Sequence, residues 1–256
     1  MTCTITAIAK NTFKEGVRDR LFVAIGIFGL ILLAASFIVG PLSLGEQVRI
    51  TQDIGLASIS ILGFMVAVLI GAGIVYREVE KKTIYTVITK PVDRWKFIVG
   101  KFVGLNATVF LIVGGMTILL LIVDSAITHA FHTGLLIGAL LAWIELVLLT
   151  ALSILMSTLC SPILGAIFTF LLYVIGHTSG DLKQLAEHFG SPGIKLTTSL
   201  LYRAIPNLEY FNVRGKIIHG IPIDISYLAF AITYGLLFAT IFLVIACVVF
   251  ERKDFR

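Results

Sequence analysis

The stretch Tyr76–Lys101, YREVEKKTIYTVITKPVDRWKFIVGK, is a charged island between two apolar runs. It holds seven of the chain's twenty Lys and Arg residues and three acids, Glu78, Glu80 and Asp93. Within it Ile84, Val87 and Ile88 fall at i, i+3 and i+4, which predicts a short helix with one apolar edge. Thr89-Lys90-Pro91 ends that helix, because the residue before a proline is pushed out of the α region. Asp93 then stands where it can cap the next helix. A link between two neighbouring helices needs only about 2–8 residues. This one is several times longer and carries a helix of its own, which predicts a docking element for a cytoplasmic partner.

The runs on either side set the fold class. Of 256 residues, 58% are apolar and 14% charged, and the mean hydropathy is +1.02. That composition predicts an all-α integral membrane protein, since no alternating ten-residue segments of a barrel occur. A span takes roughly 20 apolar residues, and six stretches qualify: residues 21–38, 56–75, 102–123, 134–159, 163–177 and 227–250. The net charge of +5 follows from topology rather than from nucleic-acid binding. With the N-terminus inside, fourteen Lys and Arg residues fall on the cytoplasmic side and six outside, so the positive-inside rule places both termini in the cytoplasm. The first apolar run reads as a span, not a cleavable signal peptide. Cys3, Cys160 and Cys247 are scattered and form no metal spacing or disulfide framework.

Further out, Ile5, Ile8, Ala9, Phe13 and Val17 repeat at helical spacing among Lys10, Lys14, Arg18 and Arg20. Residues 1–20 therefore read as an amphipathic helix on the inner leaflet. Gly63, Gly71 and Gly73 in the second run, and the GxxxG of Gly100 and Gly104, allow close helix packing. Cys160-Ser161-Pro162 makes a tight turn between the fourth and fifth runs. Residues 179–226 form the largest external piece, with one amphipathic helix through Leu182, Leu185, Ala186 and Phe189 and a second over 194–204.

Chemistry is sparse. Glu145 is the one acid deep in a span, where an ionisable group faces the protein interior, pairs or stays protonated. It reads as a translocation-path or proton-handling residue, or as a neutral hydrogen-bonding group between helices. Trp143 reads as packing. All five histidines fall on the external side, and His129 and His132, three apart, are the one pair with helical metal-ligand spacing, although solvated loop histidines are the default reading. Gly100-Lys101 echoes the end of a phosphate-binding loop, but Trp95 and Phe102 occupy the positions of its first Gly and its Ser or Thr. The chain has no ATP site of its own. The run Gly176–Asp181 lacks the spacing of an intramembrane protease, and no hydrolase site is evident.

The central stretch resembles the cytoplasmic signature of ABC-2 type transporter permeases. Its parts are Glu78-Val79-Glu80-Lys81-Lys82-Thr83, Thr89-Lys90-Pro91-Val92-Asp93-Arg94 and Gly100-Lys101. Lys82 replaces the usual Gly and Asp93 a common Ser. The likeness runs through the whole chain, including Ser157-Thr158, Ser161-Pro162 and Pro206-Asn207-Leu208-Glu209. It is closest to the branch of multi-copper enzyme maturation and nitrous oxide reductase assembly permeases. The resemblance implies one six-span domain over 1–256, with an interfacial helix (1–20), a cytoplasmic coupling loop (76–101) and an external loop (179–226). It implies a homodimer, or a heterodimer with a similar permease, in the inner membrane of a prokaryote. Two copies of a separate ATPase subunit would carry ATP and Mg, with no cofactor in this chain. Glu78, Glu80, Thr83, Ile84, Val87, Ile88, Lys90, Pro91 and Arg94, with Ser161 and Pro162 as a smaller second contact, would then couple to the ATPase, and transport would be outward. The alternatives are an ion-coupled carrier or channel using Glu145, and a non-transporting membrane anchor subunit.

Overall fold

The computed structural model describes residues 2–39, 46–76, 93–189 and 205–252. Among these, every long element is a helix and no strand occurs. In chain order they are α1 (Thr2–Arg18), α2 (Arg20–Val39), α3 (Gln47–Ile74), α4 (Arg94–Thr128), α5 (Thr133–Leu159), α6 (Pro162–Phe189), a 3₁₀ turn (Leu208–Phe211), the short α7 (Arg214–Ile218) and α8 (Ile225–Arg252). The chain is an integral membrane protein. Four helices, α3, α4, α5 and α8, are long and apolar enough to cross a bilayer, and Arg20–Ala35 and Pro162–Thr178 are shorter apolar stretches.

α5 is apolar all round, the pattern of a fully surrounded helix. It packs most extensively on α3 and α8, and α3 in turn holds α2 and α4. Glycines set the α3–α5 distance: a Cβ on Gly71 would stand 2.6 Å from Ser153 Oγ, and one on Gly63 would collide with Leu146. Leu62, Val66, Leu148 and Leu149 close the centre, all at 1% exposure or less. The outward faces of α2, α4, α6 and α8 carry exposed large apolar residues such as Ile27, Phe110, Ile167 and Val244. On a water-soluble chain such faces would be a liability, whereas acyl chains solvate them without cost.

Several boundaries differ from the hydropathy reading. Arg49 and Asp53 are not in a loop but in the first turns of α3, where Arg49 pairs with Glu46 at 2.9 Å. Polar residues extend a helix beyond its apolar stretch, because its backbone hydrogen bonds do not depend on lipid. α4 likewise has 35 residues, about 52 Å at 1.5 Å per residue, and overhangs a hydrocarbon core of about 30 Å. The fifth span and the external helix through Phe189 are one continuous helix, α6, with no break at His177. The helix predicted over 194–204 and the one centred on Ile84 and Ile88 lie outside the described residues. Asp93 precedes α4, but its carboxylate makes no capping hydrogen bond. It pairs with Lys96 instead, a favourable i,i+3 partner.

The two glycines at the start of α4 have a definite role. A Cβ on Gly100 would lie 2.7 Å from Ile8 Cγ2, and one on Gly104 would lie 2.6 Å from the Ala9 carbonyl and Thr12 Cβ. α1 therefore crosses α4 at backbone contact distance. Between the glycines, Lys101 is 1% exposed, and its ammonium lies 3.7 Å from Glu15 and 5.6 Å from the Phe97 ring centroid. The inward line of α1 is Ile8, Thr12 and Gly16, so its buried stripe faces a helix.

Candidate functional site

Both helices that flank the charged island are tied down where they meet it. At the end of α3, the Val75 and Tyr76 amides donate to Ser157 Oγ on α5, each at 3.2 Å. At the start of α4, Arg94 Nη1 donates to the Glu251 carbonyl at the end of α8, at 3.0 Å. Phe97 stacks on Phe250 with centroids 5.7 Å apart, which adds an apolar brace to the same junction. Glu78, Glu80, Thr83, Ile84, Val87, Ile88, Lys90 and Pro91 lie outside the described residues. Ser161 and Pro162 form the turn at this same end: Pro162 is the first residue of α6, and the Gly165 amide donates to the Ser161 carbonyl at 2.8 Å. Proline suits that first position, where its missing N–H would have had no partner.

The second polar locus is inside the bundle. Glu145 is 4% exposed. Its Oε1 lies 2.8 Å from Nε2 of His177. Counted from the Ser161 turn, Glu145 is about 21 Å along α5 and His177 about 22 Å along α6. The antiparallel hairpin therefore brings them to one level. Tyr173 fixes the imidazole: its ring stands edge-on to His177 at 4.6 Å and stacks on Phe64 of α3 at 4.1 Å. His177 is thus a partner of the buried acid and not a loop residue of the external side.

The chain that returns before α8 dips to the same level. Asn207 Oδ1 accepts from the Glu209 amide at 2.9 Å and starts the 3₁₀ turn, while the Asn207 amide donates to Tyr234 Oη at 2.8 Å. Leu208 and Phe211 are the turn's anchors, at 1% and 3% exposure. A Cβ on Gly176 would lie 2.7 Å from Leu208 Cγ, and one on Gly235 would lie 3.0 Å from Phe211. Gly235 is about 15 Å inside the start of α8. Non-helical backbone inside a helical bundle of this kind needs protein around it, and here Leu208 and Phe211 are packed against α6 and α8.

A narrow cleft of about 40 Å³ separates this turn from Glu145, and its lining includes Ser60, Tyr173, His177, Asn212 and Arg214. Asn212 and Arg214 also line a broad cavity of about 630 Å³ at the end of the bundle that holds Glu46, Arg49, Asp53 and His219. The two spaces therefore adjoin at Asn212 and Arg214. Arg214 stands 3.8 Å from Asp53 there.

Of the paired histidines, His129 ends α4 in the left-handed region at φ 53°, and His132 binds a carboxylate. Asp124, 2% exposed, lies 2.6 Å from His132 Nδ1 and accepts from Gln52 Nε2 at 2.7 Å. No group of three or more His, Cys, Asp or Glu that could hold a metal occurs among the described residues. Trp143 packs edge-on to Phe110 at 5.4 Å. His177, Asn212 and Arg214 were missed by sequence reasoning. Equal counting outward from Ser161-Pro162 would have matched His177 to Glu145, but nothing local marks the other two.

Among the described residues, the chain is an all-helical bundle with apolar outward flanks and a buried polar pair, the architecture of a membrane-embedded protein. Residues 6–255 match the ABC-2 family transporter proteins, and the chain belongs to that family. A search of curated proteins returned no match.

Proposed function

We propose that this chain is the permease subunit of an ATP-driven ABC-2 type transporter. The observation that carries the reading is the bracing of the island's two stems, Tyr76 on α5 through Ser157 and Arg94 on α8 through Glu251. Force applied to residues between those stems would be passed to α5 and α8, the most extensive helix pair of the bundle. In this reading the segment from Glu78 to Ile88 is a coupling helix seated on a separate ATPase, with two ATPase copies per permease pair. Its apolar edge would anchor, its charges would orient, and Ser161 and Pro162 would make a second contact. ATP-driven closure would then shift the bundle between two populations.

α2 and α6 complete six spans, and the positive-inside rule puts α1 and the ends of the chain in the cytoplasm of a prokaryotic inner membrane. α1 sits at the inner leaflet with Lys10, Lys14 and Arg18 exposed. Glu145 lines the translocation path, and transport is outward. On sequence resemblance alone, the branch is that of multi-copper enzyme maturation permeases.

The test is recovery of the tagged chain from native membranes in mild detergent, followed by identification of what accompanies it. The expected companion is an ATPase with a phosphate-binding loop, lost when Glu78 and Glu80 are reversed to Lys while the permease stays in the membrane. Unchanged capture and unchanged transport-linked ATP hydrolysis in that double variant would reject the coupling role. Flux from the purified chain without nucleotide would favour an ion-driven carrier instead.

A further inference from the structure

We propose that Glu145 and His177 together form a proton-binding site within the bundle, loaded through the mouth at Asn212 and Arg214 from the wide cavity. The proposal deepens the reading that Glu145 lines the path, but its test needs neither ATPase nor cargo. Two titratable side chains share one hydrogen bond of 2.8 Å. Glu145 also lines the cleft. An ionised carboxylate this deep needs compensation, and a proton shared with imidazole supplies it.

Size and charge choose the occupant. About 40 Å³ admits a few waters but no organic substrate. A hard metal cation requires about six or more oxygens, and the cleft lining offers an imidazole and a guanidinium alongside a single carboxylate, which disfavours one. A proton needs only the pair and a water chain. Access is one-sided. Toward the wide cavity the cleft shares Asn212 and Arg214, whereas toward Ser161 the α3–α5 seam is shut by Leu62, Val66 and Leu149, all at 1% exposure or less.

Among the described residues, the other titratable and charged groups around the pair are Tyr173 on α6, Glu209 on the 3₁₀ turn and Arg214 on α7 with Asp53 of α3 behind it, while Tyr234 of α8 holds the Asn207 amide of the same turn. Two of these belong to the dipping segment 205–218. A change in the pair's net charge therefore acts on the seat of that segment.

The experiment is infrared spectroscopy of the purified chain in lipid nanodiscs without nucleotide, stepping the pH and following the carboxyl C=O stretch. Among the carboxyl bands that grow on acidification, one should vanish in Glu145→Gln and move in His177→Gln. In vesicles with the pH stepped on one side only, the band should follow the side that carries Arg214. Asn212→Trp, at a residue whose side chain hydrogen-bonds to Glu209 and Arg214 rather than to the pair, should slow that response about tenfold or more by obstructing the mouth, so the test survives if Glu145→Gln fails to fold. Carboxyl bands none of which is lost in Glu145→Gln, a Glu145 band unaffected by His177→Gln, or one that follows the side of Ser161 would overturn the proposal. None of those results would bear on ATPase capture.

Discussion

Gly176→Ala tests whether the dipping segment is held by close packing. The added Cβ would sit 2.7 Å from Leu208 Cγ, 2.9 Å from Leu208 Cδ1 and 3.0 Å from the Pro206 carbonyl oxygen. The leucine could rotate, but the carbonyl is backbone and moves only with the whole turn. Overpacking of this kind costs about 1–3 kcal/mol. Opposing it, burial of Leu208 and Phe211 contributes about 3–6 kcal/mol in total. The turn should therefore stay docked but open about 5 to 150 times more often. Hydrogen–deuterium exchange of a peptide covering residues 205–213 reads this directly, since the Asn207 amide donates to Tyr234 of α8 only while the turn is seated. Gly180→Ala is the control, one turn further along α6 with nothing within 4 Å of its added Cβ. It should leave exchange at 205–213 unchanged and firm up α6 by up to about 1 kcal/mol. Equal exchange in the two variants would refute the packing argument.

Gly104→Val should push α1 off α4 and lower the unfolding midpoint by the equivalent of about 1–3 kcal/mol. Gly114→Ala, which meets open space, should not. Asp124→Ala removes the acceptor of the Gln52 amide and should destabilise by about 1–3 kcal/mol, seen as a lower midpoint in thermal melts in the same detergent. Ser157→Ala takes the acceptor from the Val75 and Tyr76 amides. It should cost about 1 kcal/mol and weaken ATPase stimulation by the permease without preventing capture of the ATPase.

How much of this was legible depended on whether the signal was local. Apolar length is local, so the four long apolar helices α3, α4, α5 and α8 were found, and the turn at Cys160-Ser161-Pro162 falls between α5 and α6 as expected. The ends of α3, α4 and α6 were not, because Arg49, Asp53 and Lys96 continue helices that hydropathy cannot follow into water. GxxxG at Gly100 was visible, but its partner was not, since Ile8 and Thr12 lie far away in sequence and reveal nothing of a crossing. Glu145 stood out as a charge in an apolar run. His177 did not, because a histidine near a span's end looks solvated until α6 is known to continue to Phe189. The dip of residues 206–211 was the least legible feature: Pro206, Asn207 and Glu209 read as ordinary surface turn, and only Gly176 and Gly235 on distant helices make room for it.

The crossing of α1 on α4 also has a consequence in time. α1 leaves the ribosome well before the helix it rests against, and at about 5–20 residues per second Gly104 trails Gly16 by several seconds. During that interval Ile8 and Thr12 have no mate. A helix with basic residues beside an apolar stripe can wait on a lipid surface without aggregating, and then exchange acyl chains for Gly100 and Gly104 once α4 is inserted. Its composition suits the delay as much as the finished fold.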